Sequence, residues 1–209
     1  MVDKISNYIL DNILYKNEKI EGDKREVMLF GVTRIVEDIP KYLIIFLIAL
    51  SLDILMQLCV VLAITIVYKT FVGGAHARTN IVCLISSIIF FISPVLLAKY
   101  VNFSKNIMII ASALVFIFSV YVIIRHAPAD TEEVPILNKN KRKLFRVLAF
   151  ISLILVYMSM LLIKNKITST IILITLTYIN FFATNPMYKF YKCKHSYESD
   201  EFKEYFNEK

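Results

Sequence analysis

Five long stretches almost without charge, at 42–68, 81–98, 107–124, 147–163 and 167–183, constrain this chain more than any other feature. A run of about 17–25 apolar residues is long enough to cross the hydrocarbon core as a helix, and a helix satisfies its own backbone there. The whole chain of 209 residues is 57% hydrophobic, against roughly 45–50% for an average soluble domain. The excess is concentrated in the five runs. The first forty residues are mostly polar and charged, so a secretory signal peptide is not its source. The expected fold is an all-α integral membrane protein with several crossings.

Residues 1–38 read as two amphipathic helices. Ile5, Tyr8, Ile9 and Ile13 recur at helical spacing. Gly22 and Asp23 interrupt the pattern, and Asp23 is a candidate cap for a second helix carrying Val27, Phe30, Arg34 and Glu37 before Pro40. Both stretches fit a position along the membrane interface, and equally an ordinary soluble cap.

The 42–68 run is either one long span or two short ones meeting near Ser51 to Asp53. Charge decides between them, because Lys and Arg mark the cytoplasmic side. The N-terminal part carries Lys4, Lys16, Lys19, Lys24 and Arg25. The 125–146 loop carries Arg125, Lys139, Lys141, Arg142, Lys143 and Arg146, and the last stretch carries Lys189, Lys192 and Lys194. All three share one side only if 42–68 crosses twice. Asp53 also costs less at a hairpin tip than at the bilayer centre. The expectation is one polytopic domain over 1–209: amphipathic helices at 1–38, a bundle of six membrane segments at 39–185 with the first two short and hairpin-like, and a charged cytoplasmic tail at 186–209.

The chemistry gathers in "FVGGAHARTNIVC", residues 71–83. It holds two of the chain's four glycines, and His76 and Cys83 lie seven positions apart. On one straight helix that spacing is about 10 Å of rise, too far for contact. A working pair therefore needs a break. Gly73 and Gly74 permit backbone conformations closed to other residues. Thr79 is a good N-cap for a helix running into 81–98, which would set Cys83 in its first turn. The positive end of a helix dipole and a nearby imidazolium both favour thiolate. Lys69 and Arg78 add positive charge at the same mouth. The alternatives are an inert cysteine filling a helix and a solvated loop histidine.

Other candidates carry less. Asp130, after the 107–124 run, could orient His76 as a third member, or could serve as a turn or cap residue in "APADTEE". Lys192-Cys193-Lys194-His195 lacks the ligands of a closed zinc site, so no metal is expected. Cys59 reads as a packing residue, and three thiols form no disulfide framework.

"GGAHARTNIVC" resembles the His-x6-Cys segment of the accessory gene regulator B (AgrB) family, membrane-embedded cysteine endopeptidases of Gram-positive bacteria that process autoinducing-peptide precursors. The resemblance extends along nearly the whole chain, including "HAPADTEEVPI" followed by "KNKRKLFR". It implies His76 as the catalytic histidine, Cys83 as the nucleophile and Gly74 as the glycine two before the histidine. Where the family often has arginine seven positions before the histidine, this chain has Lys69, which keeps the charge but not bidentate carboxylate binding.

The resemblance also implies partners: a short AgrD-like precursor peptide with an amphipathic N-terminus and an acidic C-terminus, membrane lipid, and a second copy of the chain as a homodimer. Neither a cofactor nor a nucleic-acid partner is implied. Lys69, Arg78 and the 139–146 cluster suit the acidic part of such a peptide, although the cluster is equally explained by topology alone. The rival readings are a peptide transporter and a non-catalytic membrane scaffold. The spans hold few charges for a polar path, Asp53 being the main exception.

Overall fold

The computed structural model describes residues 2–14, 22–77, 79–101, 103–132 and 135–198. The chain divides into two compact units, Met1–Leu52 and Asp53–Lys209. Among the described residues the regular structure is entirely helical, with two isolated β-bridges.

In the first unit, helix α1 (Val2–Ile9) passes into a π-helical turn, Leu10–Leu14, and packs against α2 (Asp23–Ser51). Arg25 fastens the pair by donating to Asn7 Oδ1 at 2.9 Å and to both carboxylate oxygens of Asp11 at 3.1 Å. Asp23 opens α2 as its first residue, and Gly22 occupies the cap position. The second amphipathic helix does not end before Pro40. It continues through Pro40 into the apolar run and stops at Ser51. An interior proline removes one backbone hydrogen bond, and ion pairs Arg34–Glu37 and Lys41–Asp38 brace the turns on either side.

The 42–68 run is broken. Leu52 ends α2, and Asp53 adopts a left-handed conformation with φ 53°, which Asp tolerates better than most residues. The chain restarts as α3 (Leu55–Ile64), which runs through a π-helical segment, Thr65–Lys69, into the short α4 (Thr70–Val72).

Four longer helices complete the second unit's bundle: α5 (Asn80–Tyr100), α6 (Lys105–Arg125), α7 (Lys139–Leu162) and α8 (Lys166–Phe182). Each starts on a side-chain cap. Thr79, Ser104, Asn138 and Asn165 all accept from backbone N–H groups of the first turn. Helix α8 is the hub, packing against α3, α5, α6 and α7. Tyr68 donates to Asn180 Oδ1 at 2.8 Å, and Asn180 donates to Ser119 Oγ at 2.7 Å. This buried chain ties α8 to the segment after α3 and to α6, with every member bonded, as a low-dielectric interior requires.

The outward faces are apolar. Ile109, Leu114, Ile117 and Ile124 of α6 are exposed, which suits a lipid surround rather than water. Four described helical stretches, Leu55–Val72, α5, α6 and α7, are long and apolar enough to cross a membrane; α8 becomes a fifth when joined to α9 (Asn185–Tyr191) across a bend of 71°. The protein is therefore a multi-pass helical membrane protein.

Of the stretch expected as a charged tail, 186–209, residues 186–198 are described and carry α9 and a 3₁₀ turn, and residues 199–209 lie outside the described residues. Thr131 and His195 form an antiparallel bridge, and Glu132 N–H donates to Lys194 O at 3.2 Å. His195 stacks on Tyr188 with ring centroids 3.6 Å apart and meets Tyr197 on a second stack at 4.9 Å. Polar spacing in the sequence hides this because the partners, residues 130–132, are distant in the chain.

Candidate functional site

The site is built where α4 ends. Gly73 takes φ 78° and Gly74 φ 147°, both in the region that L side chains avoid. The two glycines also allow close approach. A Cβ on Gly73 would lie 2.4 Å from Ala129 O, and one on Gly74 would lie 3.2 Å from Phe182 O. That closeness is used by the backbone. Gly74 N–H donates to Ala129 O at 2.9 Å, Ala129 N–H donates to Val72 O at 2.8 Å, and Ala75 N–H donates to Phe182 O at 2.8 Å. The loop is thereby fastened to the α6–α7 connection and to the last residue of α8.

From there the chain is non-helical through His76, which is exposed, to Ala77, and it is described again from Thr79. Thr79 is extended at φ −112°, ψ 142°, and its side chain accepts from Val82 N–H at 3.4 Å. Its carbonyl accepts from Cys83 N–H at 2.9 Å. Cys83 is half-buried in the first turn of α5 and is a free thiol. So α5 begins between His76 and Cys83, and the thiol lies in its first turn, at the positive end of a helix dipole.

Lys69 closes the π-helical segment below this loop. Its ammonium lies 4.5 Å from the centroid of Phe90 and 5.5 Å from that of Phe182. Cation–π attraction thus holds this positive charge beside Phe182, whose carbonyl anchors the loop. A π-helical turn often marks a functional position in a helix. Arg78 lies outside the described residues.

Asp130 sits beside the anchor. Its side chain is buried, and Oδ2 accepts from Arg142 Nη1 and from Ile136 N–H, each at 2.8 Å. Its carbonyl accepts from Tyr188 Oη at 3.2 Å and from Ser196 N–H at 3.4 Å. Asp130 therefore ties Ile136, Arg142, Tyr188 and Ser196 together beside Ala129, which holds the glycine loop. Two residues of the basic cluster turn inward to the α6–α7 connection, since Arg146 Nε donates to Ala127 O at 3.1 Å. At its start, burial and then the charge of Arg125 hold the His126 imidazole below its ordinary pKa.

Ala129 and Phe182 anchor the loop through main-chain atoms, which leave no mark on side-chain identity. The paired glycines were the one sequence signal that some backbone must come close. Among the described residues no group of three His, Cys, Asp or Glu side chains could hold a metal ion.

A family model described as Accessory gene regulator B matches residues 2–184. An AgrB-like protein of Clostridium perfringens (strain SM101) is 24% identical over 199 residues, covering 86% of this chain and 92% of that one. A second AgrB-like protein, from Clostridium acetobutylicum, is 30% identical over 159 residues, 76% of this chain and 74% of its own. The Accessory gene regulator protein B of Staphylococcus intermedius is 29% identical over 126 residues, 59% of this chain and 64% of its own. No solved structure matches the chain.

Proposed function

The chain belongs to the accessory gene regulator B family, and we propose on that premise that it is a membrane cysteine endopeptidase that cuts a short precursor peptide and promotes its closure into a thiolactone or lactone signal. Membership itself carries a role in accessory gene regulator autoinducer processing. One observation supports the finer reading above all. The helix is interrupted by an anchored glycine turn after Val72 and restarts at a Thr79 cap, so that Cys83 falls in a helical first turn with His76 in the loop before it.

The chemistry follows from those two side chains. His76 takes the thiol proton, and Cys83 Sγ attacks the carbonyl carbon of the scissile peptide bond. The tetrahedral intermediate collapses as the C–N bond breaks and the imidazolium protonates the departing amine. The C-terminal fragment leaves, and the N-terminal part stays on Cys83 as a thioester. A Cys or Ser of the bound peptide, losing its proton to His76, attacks that thioester; the ring closes and the Cys83 thiolate returns. Closure by a thiol exchanges one thioester for another and is nearly balanced. The first step is uphill, so removal of the cleaved fragment drives it. Lys69 and Arg78 are the substrate-binding candidates for an acidic C-terminal segment, and Asp130 acts through the loop it orders.

The partners are an AgrD-like precursor, lipid and a second copy of the chain. Six segments, with the end of α2 counted beside the five apolar stretches, put both termini and the catalytic loop on the cytoplasmic side.

Co-expression with a short amphipathic precursor ending in an acidic segment tests the reading. The wild type releases the C-terminal fragment and carries a hydroxylamine-sensitive adduct on Cys83. Cys83→Ala releases none, and His76→Ala slows release by about 100-fold or more. Full cleavage by Cys83→Ala ends the cysteine-protease reading. Export of uncut peptide that is indifferent to Cys83→Ala supports a transporter in its place.

A further inference from the structure

At the end of the bundle opposite the glycine loop, a cavity of about 450 Å³ opens between α6, α7 and α8. Its walls are mostly apolar, including Met108 and Leu161, and Ser112 lies in its lining at 4% exposure. Three lysines line it as well: Lys105, Lys164 and Lys166, all exposed. The ion pairs among the described residues lie elsewhere. Asp53, which precedes α3 at this same end, is exposed and lines no part of the cavity. Three lysines thus line one greasy opening, and no acidic residue is among the described residues that line it.

We propose that this cavity is a binding site for an anionic phospholipid, with the phosphate among Lys105, Lys164 and Lys166 and an acyl chain along the Met108–Leu161 wall. The geometry favours an amphiphile over a simple anion. Lys105 and Ser112 are seven residues apart on α6, about 10 Å along the axis, so apolar wall continues well inward from the charged rim. An inorganic ion would use the rim and leave that wall empty. The lipid would also reach the cavity sideways, because Leu161 in its wall is 58% exposed. The ammonium groups attract an anionic headgroup, and the apolar wall favours burial of its chain. The proposal is independent of the reaction at Cys83.

The test is native mass spectrometry of the full chain purified with equimolar dioleoylphosphatidylglycerol and dioleoylphosphatidylcholine. The wild type retains phosphatidylglycerol about tenfold over phosphatidylcholine. K105Q/K164Q/K166Q loses that preference with an unchanged melting temperature, because the three side chains are exposed. Met108→Trp fills the apolar wall, keeps the lysines and also loses retention. Equal retention of the two lipids by the wild type overturns the site. So does phosphatidylglycerol retention that survives either variant; survival in Met108→Trp alone reduces the effect to surface charge. Displacement of the lipid by inorganic phosphate alone, or by an acidic peptide at lower concentration, or its exclusion from a dimer seated on this face, would assign the cavity to that occupant instead.

Discussion

Gly73 is the position where one added carbon does the most damage. A methyl group there would meet Ala129 O at 2.4 Å, on a backbone with φ 78°. The conformation alone costs an L-residue about 1–3 kcal/mol, and the clash forces the loop off Ala129. Gly73→Ala is expected to lower the melting temperature in detergent and to abolish precursor cleavage. Gly31 supplies the control. It lies within α2 and has nothing within 4 Å of a built Cβ, so Gly31→Ala should be neutral or stabilise by about 0.5–1 kcal/mol. His126 belongs to the same scale. Burial and Arg125 lower its pKa, so the unfolded chain binds its proton more tightly than the folded one. The resulting stability is complete above the unfolded value of about 6.5 and is lost as pH falls towards the lowered folded value. Between about pH 7.5 and about pH 5.5 the wild type should lose more melting temperature than His126→Gln does. Equal losses would show that this imidazole is not the titrating group.

Between elements, residues 194–196 are fastened to residues 130–132 of the α6–α7 connection. Arg142 reaches from α7 to Asp130, whose carbonyl receives Tyr188 and Ser196. Arg142→Ala would leave a carboxylate that is 6% exposed with Ile136 N–H as its remaining described partner. The expected cost is about 2–3 kcal/mol, and trypsin should then cut after Lys192 and Lys194 faster than in the wild type. Local signals made much of the element plan readable. Apolar runs marked the spans, Thr79 and the glycines marked the break before α5, and Ser51 to Asp53 marked the break after α2. Those features act through the backbone of their own neighbours. What escaped was non-local. The passage of α2 through Pro40 depends on a helix strong enough on both sides to lose one bond. The folding of the last stretch depends on stacking of His195 between Tyr188 and Tyr197, residues the pattern alone could not pair with Thr131. Asp130 shows the same limit: its neighbours in sequence allowed a cap or a catalytic partner, and only Arg142, twelve positions on, reveals the ion pair.

Across the whole molecule, sidedness is the property to measure. In a background lacking Cys59, Cys83 and Cys193, Asn165→Cys should react with a membrane-impermeant maleimide in intact cells. Asn138→Cys and Asp11→Cys should react only after permeabilisation. Labelling of Asp11→Cys from outside would mean that the chain crosses an odd number of times before residue 138, and the six-segment count would fall. The three anchors of the glycine loop carry one more consequence, which concerns time. Residue 75 is held by residue 182, and residue 74 by residue 129. At translation rates of about 5–20 residues per second, the 107 residues from 75 to 182 take about 5–20 s to make. During that interval His76 and Cys83 have already been made while the backbone that holds the loop before them has not been synthesised. The nascent chain therefore carries Cys83 ahead of its fastened loop, and the loop is locked only when the end of α8 has been made.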